Sequence, residues 1–442
     1  MKLAINKIFS KVEFRTTIQR PFTLSLTFLT VLLLLCSCDT AEEEASAVNQ
    51  IDENSSELLI ALGNWRGEMQ LPDGNVPFNF EVTTNENNEL SVFLLNASER
   101  FLINEVSLHD DSVVVHIDVY NALFIGEMSN DKWSGYFRRN EEGAKDIPFV
   151  AKQNENHRFS KSPSASNYTL KGKWALELTD QDGKKSEMIG VFEQEDKKIT
   201  GTLLARTGDY RFFEGELSND SIFLSTFSGA SPYLIKGKLV NENELDATLI
   251  MSARSISIQG ERNDTIQPED PNAMTFFDNE TKSLSFELLN LEGEIVSLSD
   301  EKFKDKVVVI TIMGTWCPNC VDEAAFLAPW YEENKGRGVE IVAVSFERKD
   351  DFDFAKERLT KFIERFGVTY EVVYGGLAQK DNVYNKLQGI DGVISYPTTL
   401  FVDRNGKVSK IHTGFYGPAT GEYYNNFIRN FNEEVDRLLS KQ

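Results

Sequence analysis

"IMGTWCPNCVDEAAF", residues Ile312 to Phe326, sets two cysteines three positions apart between a tryptophan and an acidic pair. Such a pair is a redox couple, half of a zinc site or a structural staple, and the rest of the chain decides between them. On either side lie DKVVVITIMG (Asp305–Gly314) and GVEIVAVSF (Gly338–Phe346), near-continuous apolar runs expected of strands buried on both faces. Val321 to Lys335 separates them with a helix-length stretch, so strand, helix and strand predict a parallel pair with a right-handed crossover. Further on, Asp351 to Phe366 has the spacing of an amphipathic helix. TTLFVDRNGKVSKIHTG (Thr398–Gly414) predicts a hairpin turning at Asn405-Gly406, and Tyr423 to Leu439 a closing helix.

That order of elements describes a thioredoxin-like α/β domain. In it a tight turn leads into the helix, leaving Cys317 at the helical tip beneath unpaired N–H groups and the positive end of the dipole. Both favour the thiolate, the form that attacks a disulfide. Cys320 lies one turn deeper and closes the ring, so Cys317 attacks and Cys320 resolves. Pro318 fits the first helical turn, and with Asn319 it tunes the thiolate. Glu323 follows Cys320 by three residues, where a partly buried carboxyl would exchange the proton of Cys320; an ordinary first-turn acid stabilised by the dipole is the plainer alternative. Tyr396-Pro397-Thr398 opens the hairpin: a cis proline there would face the cysteines, with the backbone of Tyr396 available to an extended substrate.

The remaining cysteines sharpen this reading. Lys2, Lys7, Lys11, Arg15 and Arg20 precede the apolar stretch Leu24–Leu35 and then Cys36-Ser37-Cys38, the layout of an export signal too short for a confident membrane span. Leu35-Cys36-Ser37-Cys38 resembles a bacterial lipoprotein signal, which implies cleavage after residue 37 and lipid on Cys38. Plain secretion or an uncleaved anchor are the alternatives. Residues 38–57 are then an acidic flexible tether. With Cys36 removed and Cys38 lipidated, Cys317 and Cys320 are the only thiols left to the folded part, in a compartment where stray thiols oxidise. A zinc site would need two more ligands, and His109, His116, His157 and His412 are scattered singly. The chain carries a formal charge of −23 with no basic block beyond its first twenty residues, which argues against nucleic acid as a partner.

Upstream, GNWRGEMQLPDG (Gly63–Gly74) is echoed by GKWALELTDQDG (Gly172–Gly183), with Trp65 and Trp174 109 positions apart. Short alternating stretches such as SVVVHIDVY and SIFLSTF, punctuated by Asn, Asp and Gly, predict an antiparallel meander, sandwich or barrel in each copy. The organisation read from this is a multidomain chain: signal 1–37, tether 38–57, β-rich repeats at 58–152 and 168–262, a linker at 263–282 and a thioredoxin-like domain at 283–442.

GTWCPNCVDE, SYPTTLFVDRNGKV and SLSDEKFKDKVVVI resemble the TlpA and ResA group of membrane-tethered thiol-disulfide oxidoreductases over roughly 283–442. The resemblance implies Cys317 as nucleophile, Cys320 as resolving cysteine, Glu323 as the acid of the C-x-x-E pattern and Pro397 as a cis-proline. Trp316, Pro318, Asn319 and Tyr396 are the substrate-facing residues. No cofactor is expected beyond the redox-active Cys317–Cys320 disulfide. The implied partners are disulfide-bearing envelope proteins, a membrane thiol donor of the DsbD or CcdA type, and the membrane itself through Cys38, in a lipid-anchored position facing the periplasm or on the outer-membrane surface. Where thioredoxin has a buried aspartate this chain has Thr311, leaving Glu323 as the substitute. Two rivals stand beside the protein disulfide reductase: a thiol peroxidase of the AhpC/TSA kind, and a surface ligand-binding lipoprotein in which Trp65, Trp133 and Trp174 line a binding face and the thioredoxin-like domain is an accessory.

Overall fold

The computed structural model describes residues 60–103, 105–109, 112–129, 131–278 and 284–441. The signal, the tether and Cys38 lie outside the described residues. Among the described residues no helix is long and apolar enough to cross a membrane.

Two barrel-like antiparallel sheets come first. In one, nine strands run from Gly63–Leu71 to Ile147–Gln153, and the first strand pairs with both the second and the ninth, Trp65 lying opposite Phe80 and Gln153. In the other, nine strands run from Gly172–Thr179 to Ser255–Arg262. Here Lys185–Glu195 also pairs with Lys198–Ala205, which closes the circuit of hydrogen-bonded strands. Of the meander, sandwich and barrel that alternation permits, the barrel-like form is the one built, and in the second sheet closure removes the unpaired edges.

Alternation sends every second residue inward. Trp65, Trp133 and Trp174 are all within 1% of complete burial, so they are core and not a binding face. Phe124 packs edge-on to Phe149 at 4.9 Å, and Trp133 to Phe149 at 4.7 Å, contacts that add about 1 kcal/mol each beyond area burial. Each indole at a barrel's first strand donates to a carbonyl four residues earlier, Trp65 to Ala61 at 2.9 Å and Trp174 to Leu170 at 2.8 Å.

The segment between the barrels is held firmly. Arg158 is buried, and its guanidinium donates to Ser225 Oγ at 2.9 Å, Asn96 Oδ1 at 2.8 Å and the Leu95 carbonyl at 2.9 Å. Acceptors from both barrels thereby satisfy a charge that would otherwise be costly to bury. Part of the polar 263–282 stretch is also structured, since Thr275–Phe277 pairs antiparallel with Ile390–Gly392.

The C-terminal region has a seven-stranded sheet. In chain order its strands are β1 (Glu287–Asn290), β2 (Ile295–Ser297), β3 (Val307–Met313), β4 (Val339–Glu347), β5 (Glu371–Leu377), β6 (Thr398–Val402) and β7 (Val408–Thr413). Their spatial order is β2-β1-β5-β4-β3-β6-β7, with β3–β4 and β4–β5 parallel. Every residue of β3 is buried, as its unbroken apolar run requires. Helices α1 (Pro318–Asn334), α2 (Phe352–Phe366), α3 (Lys380–Lys386) and α4 (Glu422–Ser440) complete a thioredoxin-like domain. β5, absent from the sequence reading as α3 is, extends the parallel β3–β4 pair.

Helix α2 docks this domain on the first barrel. Arg358 donates to the carbonyls of Asp118 and Val119, Lys361 pairs with Asp118 at 2.8 Å, and Arg365 reaches the Leu102 carbonyl at 2.8 Å. Phe362, buried on the same helix, faces the apolar interior it shares with Leu359.

Candidate active site

The site begins where β3 ends. Gly314 and Thr315 turn the chain into α1, and the turn is pinned from beneath by Glu347, whose carboxylate accepts from Thr315 N at 3.0 Å, Thr315 Oγ1 at 2.8 Å and Ser345 Oγ at 2.7 Å. Burial raises the Glu347 carboxyl above its usual range, while these donors pull it back. Gly314 is required sterically: a Cβ there would come 2.4 Å from Trp316 Nε1 and 2.7 Å from the Phe346 carbonyl oxygen. The indole lies across that space and donates to Phe346 O at 3.0 Å.

Cys317 is the N-cap of α1 and Pro318 its first residue, a position where a missing N–H costs nothing. The Cys317 sulfur accepts from the Cys320 N–H at 3.4 Å and donates to the Tyr396 carbonyl at 3.1 Å. The Tyr396–Pro397 peptide is cis. Trp316 and Tyr396 meet edge to face at 5.1 Å, and Asn319 donates to the Phe415 carbonyl at 2.9 Å. Both cysteines are free thiols. Burial, and then the hydrogen bond with Cys317, push the Cys320 thiol well above its ordinary value.

Glu323 is wholly buried, and burial raises its carboxyl to about 7. Its two oxygens accept from Thr311 Oγ1 at 2.5 Å and Thr399 Oγ1 at 2.6 Å, hydroxyls that act in the opposite direction. Thr311 of β3 and Thr399 of β6 thus hold the Glu323 carboxyl between them. Glu323 holds no direct hydrogen bond to either sulfur; its charge acts on Cys320 through space.

The second barrel also reaches the site, which sequence reasoning missed. Residues 207–211, Thr-Gly-Asp-Tyr-Arg, lie along the edge that follows β7. Phe415 N donates to Thr207 O at 3.2 Å, Gly417 N to Asp209 Oδ1 at 2.7 Å and Tyr416 OH to Ala205 O at 2.9 Å. Arg211 joins three parts of the molecule, pairing with Glu99 of the first barrel at 2.5 Å and Asp322 of α1 at 2.9 Å, and donating to the Pro318 carbonyl at 3.3 Å. Burial works against its charge, but Asp322, Tyr120 and Glu99 outweigh it and hold the guanidinium protonated. Asp322 is carried by burial to about 7, with Arg211 opposing. Cys317 itself is only 6% exposed. The signals available in sequence were the odd acid pair Asp322-Glu323 and the Thr207–Arg211 loop, but nothing local ties one to the other.

His412, in β7, packs against Phe427 at 5.0 Å, and burial lowers its imidazole to about 4. Among the described residues no three His, Cys, Asp or Glu side chains come together as metal ligands.

Comparison with known proteins agrees with this geometry. A profile of the AhpC/TSA family matches residues 280–411. The thiol-disulfide oxidoreductase ResA of Bacillus subtilis is 32% identical over 145 residues, 33% of this chain and 73% of its own. This chain belongs to the ResA-like thiol-disulfide oxidoreductase family. ResA of Geobacillus thermodenitrificans is 37% identical over 129 residues, 29% of this chain and 66% of the relative, so the chain spans just under two thirds of that protein. The solved thioredoxin domain of a thiol-disulfide oxidoreductase from Bacteroides vulgatus is 26% identical, covering 35% of this chain and 99% of that one with a TM-score of 0.27. The ResA-like kinship concerns the C-terminal part alone.

Proposed function

We propose that this ResA-like protein is an envelope protein disulfide reductase working through the Cys317–Cys320 dithiol, tethered by lipid on Cys38 and recharged by a membrane thiol donor of the DsbD or CcdA type. The observation that carries the reading is the stacking of the two sulfurs: one caps a helix beside the Tyr396 carbonyl, the other lies one turn below in a dry core. As a thiolate, Cys317 attacks a client disulfide, forming a mixed disulfide and releasing one client sulfur. Cys320 then loses its proton and attacks Cys317 Sγ, which frees the client and leaves the Cys317–Cys320 disulfide. Glu323 takes that proton, since a carboxyl changing charge at about 7 suits exchange near neutrality. The Trp65 and Trp174 hydrogen bonds, each four residues back, support a duplication of the barrels.

The AhpC/TSA match favours one second reading, a thiol peroxidase. Trapping separates them. Cys320→Ser should accumulate mixed disulfides with envelope proteins through Cys317, and Cys317→Ser none. Identical behaviour of the two variants, or rapid turnover of hydrogen peroxide by the native chain, would count against the reductase.

A further inference from the structure

Against the helical tip that carries the cysteines lies a cleft of about 260 Å³. Its walls come from all three parts of the fold: Tyr120 and Arg139 from the first barrel, Thr226 and Ser228 from the second, Trp316 and Pro318 from the redox domain. The last two flank Cys317 in the chain.

Three features mark the cleft as built for a ligand. Thr226 lines the cleft and is 2% exposed, and its hydroxyl is buried with no hydrogen-bond partner, a cost that proteins rarely carry without cause. Two guanidiniums in the lining, Arg139 and Arg348, share a single carboxylate, Glu141, at 3.5 and 2.6 Å. Asp209, the other acid lining the cleft, is already engaged by the N–H groups of Gly417 and Arg211. Arg348 also lies 4.7 Å from the Trp316 ring, so a ligand held by the arginine is brought beside the cysteine motif.

Resting on the thiol-disulfide reading above, we infer that this cleft is a substrate site shared by the barrels and the redox domain, and that it takes a small disulfide bearing a carboxylate. The volume is just under the range of about 300–1,000 Å³ of drug-sized ligand sites, enough for one arm of such a molecule and too little for the surface of a folded protein. The carboxylate pairs with Arg348 and Arg139, and the arm lies along Thr226 and Ser228. Chemically, the Cys317 thiolate bonds to one substrate sulfur as the substrate S–S bond breaks; the departing thiolate is protonated by water. Cys320, deprotonated, then bonds to Cys317 Sγ and expels the second thiolate. The dithiol loses two electrons and the substrate gains two, and an external dithiol restores the pair.

The test uses the pre-reduced full chain with two probes of similar size and leaving group, dianionic dithiodipropionate and neutral hydroxyethyl disulfide, followed by loss of protein thiols. The expected result is a saturating rate with dithiodipropionate and a kcat/KM at least tenfold above that for the neutral probe. Arg348→Ala, a change at a half-exposed side chain, should raise KM for the dianion about tenfold and leave kcat within twofold. Equal, non-saturating rates for both probes would overturn the cleft assignment while leaving the oxidoreductase reading intact. Failure of both probes to oxidise the dithiol would remove both readings.

Discussion

Glu323→Gln tests the proton store beneath the cysteines. The native carboxyl rises from 4.5 to about 7 on folding, with burial as the largest cause. At about 1.4 kcal/mol per pH unit this difference corresponds to about 3 kcal/mol of pH-dependent stability. The sign follows from the direction: the folded chain binds this proton more tightly than the unfolded one. Its contribution is therefore complete below about 4.5 and is lost as the pH rises through 7. Glutamine keeps the shape and carries no charge at any pH. One of the two threonine hydroxyls, which now donate to Oε1 and Oε2, turns to accept from the new amide. Urea unfolding of both proteins at pH 5 and pH 8.5, read by near-ultraviolet circular dichroism, isolates the effect. Asp322 and Glu347 also titrate high, but they are common to both chains and cancel in the difference. The native chain should lose about 2.5 kcal/mol more than the variant between the two conditions, since a little of the effect is already gone at pH 5. Parallel losses would show that Glu323 is already ionised at pH 5, and would remove it from the proton transfer.

Thr399→Val strips one donor from the same carboxylate; it should move the Glu323 inflection to higher pH and cost about 1–3 kcal/mol above pH 7, seen in the same unfolding series. Arg211→Met leaves Glu99 and Asp322 buried without their cation, and should destabilise the chain by about 3–5 kcal/mol in urea unfolding. Gly414 has φ +85°, and a Cβ there would come 2.1 Å from the Thr207 carbonyl oxygen, a backbone atom that must give way. Gly414→Ala should therefore lift the 207–211 segment and raise the rate of Cys317 alkylation by iodoacetamide severalfold; an unchanged rate would mean this segment does not cover the sulfur.

Local pattern was enough for a good deal of this. A run such as VVVITIM has only one economical fate, a strand buried on both faces, and the W-C-P-N-C that follows the Gly314-Thr315 turn sets Cys317 at a helix tip whatever lies further away. Tyr396-Pro397 was likewise visible as a strand-opening pair, because proline is confined to few places in a sheet. Glu323 was legible by its spacing from Cys320; its partners Thr311 and Thr399 were not, since one lies on β3, the other on β6, and register alone aligns them. The same holds more strongly for Arg211. Nothing near it in the chain predicts a cation bridging Glu99 and Asp322, 112 and 111 positions away in opposite directions.

Period, turn chemistry and the helix that Cys317 caps are set by neighbours in sequence, so the sequence by itself determined the strand alternation of the two copies, the thioredoxin-like domain and the placing of Cys317 and Cys320 one helical turn apart. Only the tertiary structure decided that Cys317 would be covered, that Glu323 would rest on two threonines and that three parts of the molecule would wall one cleft. Those outcomes depend on which surfaces meet, and burial, which sets the charge state of Glu323 and Asp322, exists only once they have met.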